Sequence, residues 1–178
     1  MDEDYDPRGK PAGTSISRQE YGPGLYLTTH YDTAAKYAKG SRKLWQVVIS
    51  QGTDSDSVKI PFEDVKAFLV TYGVASKRRA VPEYFARLVG KGMLTGTTFL
   101  NVITNEELVP TRYQEVLRQF LVDHGVDYRI EDNAYGWHER MVVLFNMNKI
   151  VSKKQVSRSE KLDVYDLPRD FSEAEQMQ

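Results

Sequence analysis

The sequence has no cysteine, and its three histidines, His30, His124 and His138, lie far apart in the chain. Disulfide bonds and thiolate metal sites are therefore excluded, and the histidine spacing matches no metal-ligand pattern. No apolar run approaches the length that crosses a bilayer. The first residues, Met1 to Asp4, are acidic where a secretory signal would be basic. We therefore expect a protein that needs no metal, has no membrane partner and works in the cytoplasm.

An excess of charge of one sign is also missing, since 24 basic and 25 acidic residues give a formal net charge of −1. This balance gives no overall indication of a nucleic-acid partner. The 178 residues are 40% hydrophobic and 28% charged. Such a chain is long enough to bury a hydrophobic core, and its composition is typical of a single soluble globular domain.

The segment 22–38 predicts a glycine-rich turn, a short strand and a helix. Successive residues of a strand face opposite sides, so Leu25 and Leu27 would enter the core while Tyr26 and Thr28 face a cleft. The alternative interpretation is an ordinary turn and strand in which the tyrosine has no binding role.

The helix after this strand has a plausible N-cap in Thr29 or Asp32. One of its faces carries Ala34, Tyr37 and Ala38, at positions i, i+3 and i+4. The small alanines would let the helix lie close to the sheet and bring Tyr37 toward Tyr26. The alternative is a tyrosine that only packs in the core.

A second informative segment begins at Glu139 and continues into the apolar run Met141 to Phe145. This run is short and valine-rich, and two asparagines, Asn146 and Asn148, bound it. The pattern is typical of a central strand that is buried on both faces. A carboxylate at the mouth of such a strand is a candidate catalytic group, although a glutamate at a strand end is also common on protein surfaces.

Taken together and in this order, the two segments resemble the ADP-ribosyltransferase superfamily, especially its poly(ADP-ribose)-polymerase-like branch and the toxin-type mono-ADP-ribosyltransferases. The resemblance covers about residues 20–50 and 124–150. It implies an α+β fold with a split antiparallel β-sandwich core and helical insertions. It also implies an enzyme that uses NAD and transfers ADP-ribose to another molecule.

The resemblance assigns catalytic roles to Glu139, Tyr26 and Tyr37. The two tyrosines would hold the nicotinamide of NAD between them, since a cationic aromatic ring is attracted to phenol faces. Glu139 would stabilise the positive charge that develops on the ribose when its bond to nicotinamide breaks. The implied NAD-binding residues are Arg8, Arg18, Gly24, Leu25, Tyr26, Thr28 and Tyr37.

The family's first-strand histidine or arginine is the point at which this sequence departs from the pattern. No histidine precedes Gly22, and the nearest candidates are Arg8, which glycine follows, and the stretch Gly13 to Ser15. We favour Arg8 for this position, and Arg18 for a bidentate contact with the NAD phosphates. The alternative is that Arg8 belongs to a disordered acidic N-terminus.

The apolar residues in the middle of the chain change to helical spacing, which predicts a helical insertion at about 58–124. We assign residues 1–150, including this insertion, to a catalytic domain. Residues 151–178 form a charged tail in this assignment. The predicted elements outside the two segments are a strand at Lys43–Ile49, helices at Pro61–Tyr72, Val81–Val89 and Pro110–His124, and a loop at Gly92–Thr98.

The basic and aromatic segment Lys77–Arg87 is a candidate contact with a nucleic-acid acceptor. The alternative is a solvated basic turn followed by a helix with aromatic core residues, and the acceptor itself is either a nucleic acid or a protein. Analogy of architecture suggests a toxin or defence effector with an inhibitory, antitoxin-like protein partner. Two other functions remain open: an RNA 2′-phosphotransferase, which shares fold and NAD use, and an NAD-binding module without catalytic activity.

Overall fold

A computed structural model of the chain describes residues 21–37, 44–76, 92–132 and 139–156. Its strands are β1 (Leu25–Thr28), β2 (Leu44–Ile49), β3 (Lys59–Pro61), β4 (Met93–Thr95), β5 (Tyr128–Asp132), β6 (Arg140–Leu144) and β7 (Ile150–Val156). Its helices are α1 (Tyr31–Tyr37), α2 (Phe62–Tyr72), α3 (Gly96–Asn105) and α4 (Gln114–Asp123), with 3-10 turns at Thr111–Tyr113 and Met147–Lys149. The strand pairs are antiparallel, which confirms the α+β class.

The central strand of the three-stranded sheet is β6, which pairs with β1 on one side and β5 on the other. Residues Met141 to Phe145 are each at most 8% exposed. The prediction of a central strand buried on both faces is therefore confirmed.

Each face of this sheet contacts a different hydrophobic cluster. Met141 and Val143 face a cluster formed largely by α2, α3 and α4. Val142 and Leu144 face the other way, toward a smaller cluster that Ile49 of β2 joins. The two-stranded β2–β7 sheet thus covers the face of the central sheet that the helices leave open.

The helices of the middle region follow their apolar stripes. Helix α2 begins after Pro61, as predicted, and buries Val65, Phe68 and Leu69. Helix α4 lies within the predicted range Pro110–His124 and follows a 3-10 turn. In the part of the chain that the structure describes, no helix combines the length and the apolar character needed to cross a bilayer.

The prediction of a loop at Gly92–Thr98 is wrong. Met93–Thr95 pairs with β3 as strand β4, and Gly96 begins α3. The hydroxyl of Thr95 caps this helix by accepting a hydrogen bond from the Thr98 amide at 3.1 Å. A Cβ on Gly96 would lie 2.9 Å from the Ser55 carbonyl oxygen, so the glycine permits close packing and does not mark a loop.

Two predicted boundaries differ from the observed elements. Residues 151–156, which the sequence assigns to the tail, form most of β7 and pair with β2. The region 58–124, predicted as a helical insertion, also contains the antiparallel pair of β3 and β4, which α2 separates in the chain. The predicted helix Val81–Val89 lies outside the described residues.

Candidate functional site

Glu139 immediately precedes β6 and lies beside the end of β1. Only 3% of the residue is exposed, and its Oε1 accepts a hydrogen bond from the Thr28 hydroxyl at 2.5 Å. The same hydroxyl oxygen accepts a hydrogen bond from the His30 amide at 3.1 Å. The hydroxyl accepts the hydrogen bond from the His30 amide through its oxygen, so its single proton is available to donate to the carboxylate. Thr28 therefore fixes one oxygen of Glu139.

Hydrogen bonds between Thr29 and Arg140 continue the pairing of β1 with β6 one residue beyond the end of β1. The Thr29 amide donates to the Arg140 carbonyl oxygen at 3.0 Å. The Arg140 amide in turn donates to the Thr29 hydroxyl at 3.0 Å. The sheet register therefore places Glu139 next to Thr28, although 111 positions separate them in the chain.

Tyr26 lies on the same face of β1 as Thr28, because two positions separate them along the strand. Its ring is partly exposed, with 37% of the residue accessible. The phenol donates to the Gly22 carbonyl oxygen at 2.9 Å and accepts from the Tyr21 amide at 3.3 Å. We call Tyr26, Thr28 and Glu139 the candidate site.

Leu25 and Leu27 lie on the opposite face of β1 and pack against the smaller hydrophobic cluster. The predicted alternation of this strand is therefore confirmed. It also means that the side chain of Leu25, which the resemblance places among the NAD-binding residues, faces away from the candidate site.

The glycines before β1 have packing roles. Gly22 has a φ of +113°, and a Cβ there would lie 2.8 Å from Leu100 of α3. A Cβ on Gly24 would lie 2.6 Å from the Leu144 carbonyl oxygen. Close approach to α3 and β6 thus explains both glycines, and a contact between Gly24 and NAD stays a prediction.

For three predicted site residues, Tyr37, Arg8 and Arg18, the structure does not describe the side chain. Tyr37 is the last residue of α1, which contacts β1. The Tyr37 side chain, and Arg8 and Arg18 entirely, lie outside the part of the chain that the structure describes. Stacking of a ring between Tyr26 and Tyr37 therefore stays a prediction.

A buried ionic group that the sequence analysis did not single out shares this face of the sheet. Arg129 of β5 is 5% exposed, and it contacts Glu131, Asn101 and the ring of Tyr21. Alternation along β5 would have placed Arg129 and Glu131 on one face. The sequence contains no signal for the contact with Asn101 of α3, because that contact depends on tertiary packing.

A second polar group lies at the opposite end of β6. Asp127 accepts hydrogen bonds from the Thr53 amide at 2.8 Å and from the Asn146 side chain at 2.7 Å, and Lys149 lies 3.4 Å away. Nearby, burial raises the pKa of the Asp54 carboxyl, whose oxygens accept hydrogen bonds from two backbone amides. These bonds fasten the 51–57 segment to the sheet, which is a structural role.

The candidate site combines a partly exposed aromatic ring with a buried carboxylate whose orientation a hydroxyl fixes. Such a carboxylate can stabilise positive charge on a bound molecule, since little water competes with it. Comparisons of the chain with protein-family models, with curated proteins and with solved structures give no match. The chemistry of the site must therefore be inferred from its own residues.

Proposed function

We propose that this chain is an NAD-dependent ADP-ribosyltransferase that transfers ADP-ribose to a macromolecular acceptor. The observation that carries the proposal is the hydrogen bond from Thr28 to the buried carboxylate of Glu139, on the face of β1 that also presents Tyr26. The sequence motifs named these residues separately, and the fold supports the proposal by bringing Thr28 and Glu139 into contact.

The spacing of the site suits the donor end of NAD. Two residues along an antiparallel strand span about 7 Å. We propose that a nicotinamide ring stacked on Tyr26 places its ribose within reach of Thr28 and Glu139. The partly exposed Tyr26 ring offers a face to the cationic ring, and cation–π attraction adds to the area that stacking buries.

Glu139 would act when the bond between nicotinamide and ribose breaks. The bonding electron pair leaves with nicotinamide, and positive charge develops on the sugar. A carboxylate held in position by Thr28 opposes that charge without having to reorganise. The acceptor then forms a bond to the same ribose carbon and releases its proton.

The acceptor and the biological setting are further parts of the proposal. The acceptor is a nucleic acid or a protein, and the basic segment Lys77–Arg87 is the candidate contact in the first case. A role as a toxin or defence effector, with an inhibitory protein partner, rests on analogy of architecture alone.

Incubation of the protein with NAD and cell extract tests the proposal, with separate labels on the nicotinamide and the adenylate. We expect free nicotinamide together with adenylate label on a macromolecule. Glu139→Gln should lower the rate about 100-fold while the circular-dichroism spectrum stays unchanged. Glu115→Gln is the control for the chemical change alone, because Glu115 is an exposed glutamate of α4 with 68% of its side chain accessible. It should keep the full rate.

Other outcomes identify the competing functions. NAD binding without release of nicotinamide indicates an inactive binding module. Nicotinamide release that occurs only with a 2′-phosphorylated RNA, and removes its phosphate, indicates the phosphotransferase. A normal rate in folded Glu139→Gln protein would contradict the role of Glu139.

A further inference from the structure

Arg129 lies in the same row of the sheet as Tyr26. Both residues pair with Val143 of the central strand, Tyr26 from β1 and Arg129 from β5. Residues opposite each other in antiparallel strands share a face, so both side chains project from the side of the sheet that carries the candidate site.

The guanidinium of Arg129 is buried among several partners. Its Nε donates to Glu131 Oε1 at 2.6 Å, and Nη1 donates to Asn101 Oδ1 at 2.8 Å. Nη2 forms an ion pair with Glu131. The ring of Tyr21 covers the guanidinium, with 5.1 Å between Cζ and the ring centroid. Glu131 and Asn101 therefore fix the guanidinium, and the guanidinium in turn contacts the ring of Tyr21.

Tyr21 connects this group to Tyr26. The Tyr21 amide donates to the Tyr26 phenol oxygen at 3.3 Å, and that phenol donates to the Gly22 carbonyl oxygen at 2.9 Å. These two backbone groups belong to Tyr21, whose ring stacks on Arg129, and to the next residue, Gly22. A shift of the backbone at residues 21 and 22 would therefore move these two partners of the Tyr26 phenol.

We propose that Arg129 is a positioning residue for the candidate site: it anchors Tyr21 and, through the backbone of residues 21 and 22, fixes the ring of Tyr26. The proposal rests on the proposed function, in which this ring stacks on nicotinamide. An exposed ring that is fixed before binding loses less conformational entropy when the ligand arrives.

Stability alone is a weak explanation for this group. A buried ion pair usually contributes little net stability compared with apolar side chains of similar volume, because both charges lose their hydration. Val143, which lies opposite position 129, is apolar and buried, so the groups that favour an arginine at this position are Glu131, Asn101 and the ring of Tyr21. The arginine instead provides a directed contact with an aromatic ring.

The test compares Arg129→Met with Arg118→Met by titration with NAD in the Glu139→Gln background, where the ligand is consumed about 100-fold more slowly. Arg118 is the control, because it is also an arginine with little exposure, 16% of its side chain, that pairs with a glutamate, while its Nη1 donates to the Phe145 carbonyl oxygen. We expect Arg129→Met to raise the NAD Kd about three- to tenfold. Arg118→Met should leave the Kd unchanged.

A double-mutant cycle separates positioning from a general structural effect. If Arg129 acts through the Tyr26 ring, Arg129→Met should have no further effect on the Kd once Tyr26 is alanine. An equal rise in the Kd with and without the Tyr26 ring would overturn the proposal, as would an unchanged Kd in Arg129→Met itself.

A second variant and a second readout cover the remaining cases. If Arg129→Met does not fold, Tyr21→Leu replaces it, since leucine keeps the backbone amide and removes the ring over the guanidinium. Nuclear magnetic resonance of protein with labelled tyrosine reports the environment of the Tyr26 ring in the absence of NAD. Arg129→Met, or Tyr21→Leu in its place, should shift its ring resonances, and Arg118→Met should not. If the wild type binds no NAD, the proposed function fails, and the resonances alone decide whether Arg129 positions Tyr26.

Discussion

Thr28 connects the strand that carries Tyr26 to the carboxylate of Glu139. Its hydroxyl donates to Glu139 and accepts from the His30 amide, so the side chain is constrained from both directions. An apolar residue of the same shape would leave Glu139 without this partner. The orientation of the carboxylate, and not only its presence, therefore depends on position 28.

We predict that Thr28→Val lowers the rate of nicotinamide release about 10- to 150-fold, because a hydrogen bond to a charged group contributes roughly 1.5–3 kcal/mol. Thr28→Ser, which keeps the hydroxyl, should stay close to the wild-type rate. Initial rates at saturating NAD, measured beside thermal unfolding curves, check both variants. A fully active Thr28→Val protein would show that Glu139 does not need this hydroxyl.

Asp54 provides a pH-dependent prediction. Burial raises the pKa of its carboxyl above the ordinary value of 3.8, so the folded protein binds this proton more readily than the unfolded chain. The stabilising contribution of the protonated form is complete below the unfolded pKa and is lost as the pH rises through the folded pKa.

Comparison with Asp54→Asn isolates this effect, since asparagine does not titrate. We predict that the wild type gains stability relative to Asp54→Asn when the pH falls from about 7 to about 4. Urea unfolding of both proteins at the two pH values measures the difference. A difference that shrinks at low pH would mean that the two amide hydrogen bonds to Asp54 outweigh its burial.

The pairing of β1 with β6 creates the candidate site at the level of secondary structure. The sequence predicted each strand, because β1 alternates and β6 is a short apolar run between polar turns. It also predicted the buried stripes of α2 and α4. These features depend on residues close together in the chain, where periodicity is informative.

Other features depend on contacts that no local pattern encodes. The glycines at 92 and 96 indicated a loop, but tertiary packing against β3 and Ser55 forms a strand and a helix start there. Residues 151–156 are polar and charged at most positions, yet residues 152–156 pair with β2, and the register shifts next to Val151. The Arg129 contacts involve α3, β5 and the segment before β1, so they too could not be deduced from spacing.

Gly24 tests how closely β1 must approach β6. A Cβ on this residue would lie 2.6 Å from the Leu144 carbonyl oxygen and 2.7 Å from Val143. Because one of these neighbours is backbone, the strands would have to separate. We predict that Gly24→Ala destabilises the fold by about 1–3 kcal/mol, as overpacking typically does.

Urea unfolding of Gly24→Ala, followed by tryptophan fluorescence, measures this cost. Gly92→Ala is a useful comparison, because its added carbon meets open space and only the positive φ of 77° opposes it. That variant should lose about 1–2 kcal/mol. Unchanged stability in Gly24→Ala combined with weaker NAD binding would assign the glycine to ligand approach and not to strand packing.

Over the described part of the molecule, structural and candidate functional groups occupy opposite ends of the central sheet. Asp127 and Lys149 fasten the 51–57 segment at one end, while Glu139 lies at the other. The two hydrophobic clusters hold β6 between them. A rigid strand with a carboxylate at its mouth suits a reaction in which that group must not move, because preorganisation is the main source of such catalysis.

The choice of acceptor is a property of the whole molecule. Replacements in the segment Lys77–Arg87 can test this choice. The segment lies outside the described residues. If the acceptor is a nucleic acid, Lys77, Arg78 and Arg79 would contact phosphates. We predict that replacing all three by alanine weakens acceptor modification and reduces its salt dependence by up to about three phosphate charges. Hydrolysis of NAD without acceptor should be unchanged, because Tyr26, Thr28 and Glu139 all keep their identity in the triple variant.

Labelled NAD, incubated at two salt concentrations with extract treated beforehand with nuclease or with protease, distinguishes the two acceptor classes. Labelling that survives protease treatment, disappears after nuclease treatment and falls in the triple variant supports a nucleic-acid acceptor. Labelling that survives nuclease treatment and is insensitive to the three replacements means that the acceptor is a protein. In that case the basic residues form a solvated turn, and target choice must depend on other surfaces. Because NAD hydrolysis is also measured in samples without extract, loss of the donor reaction cannot be mistaken for loss of acceptor binding.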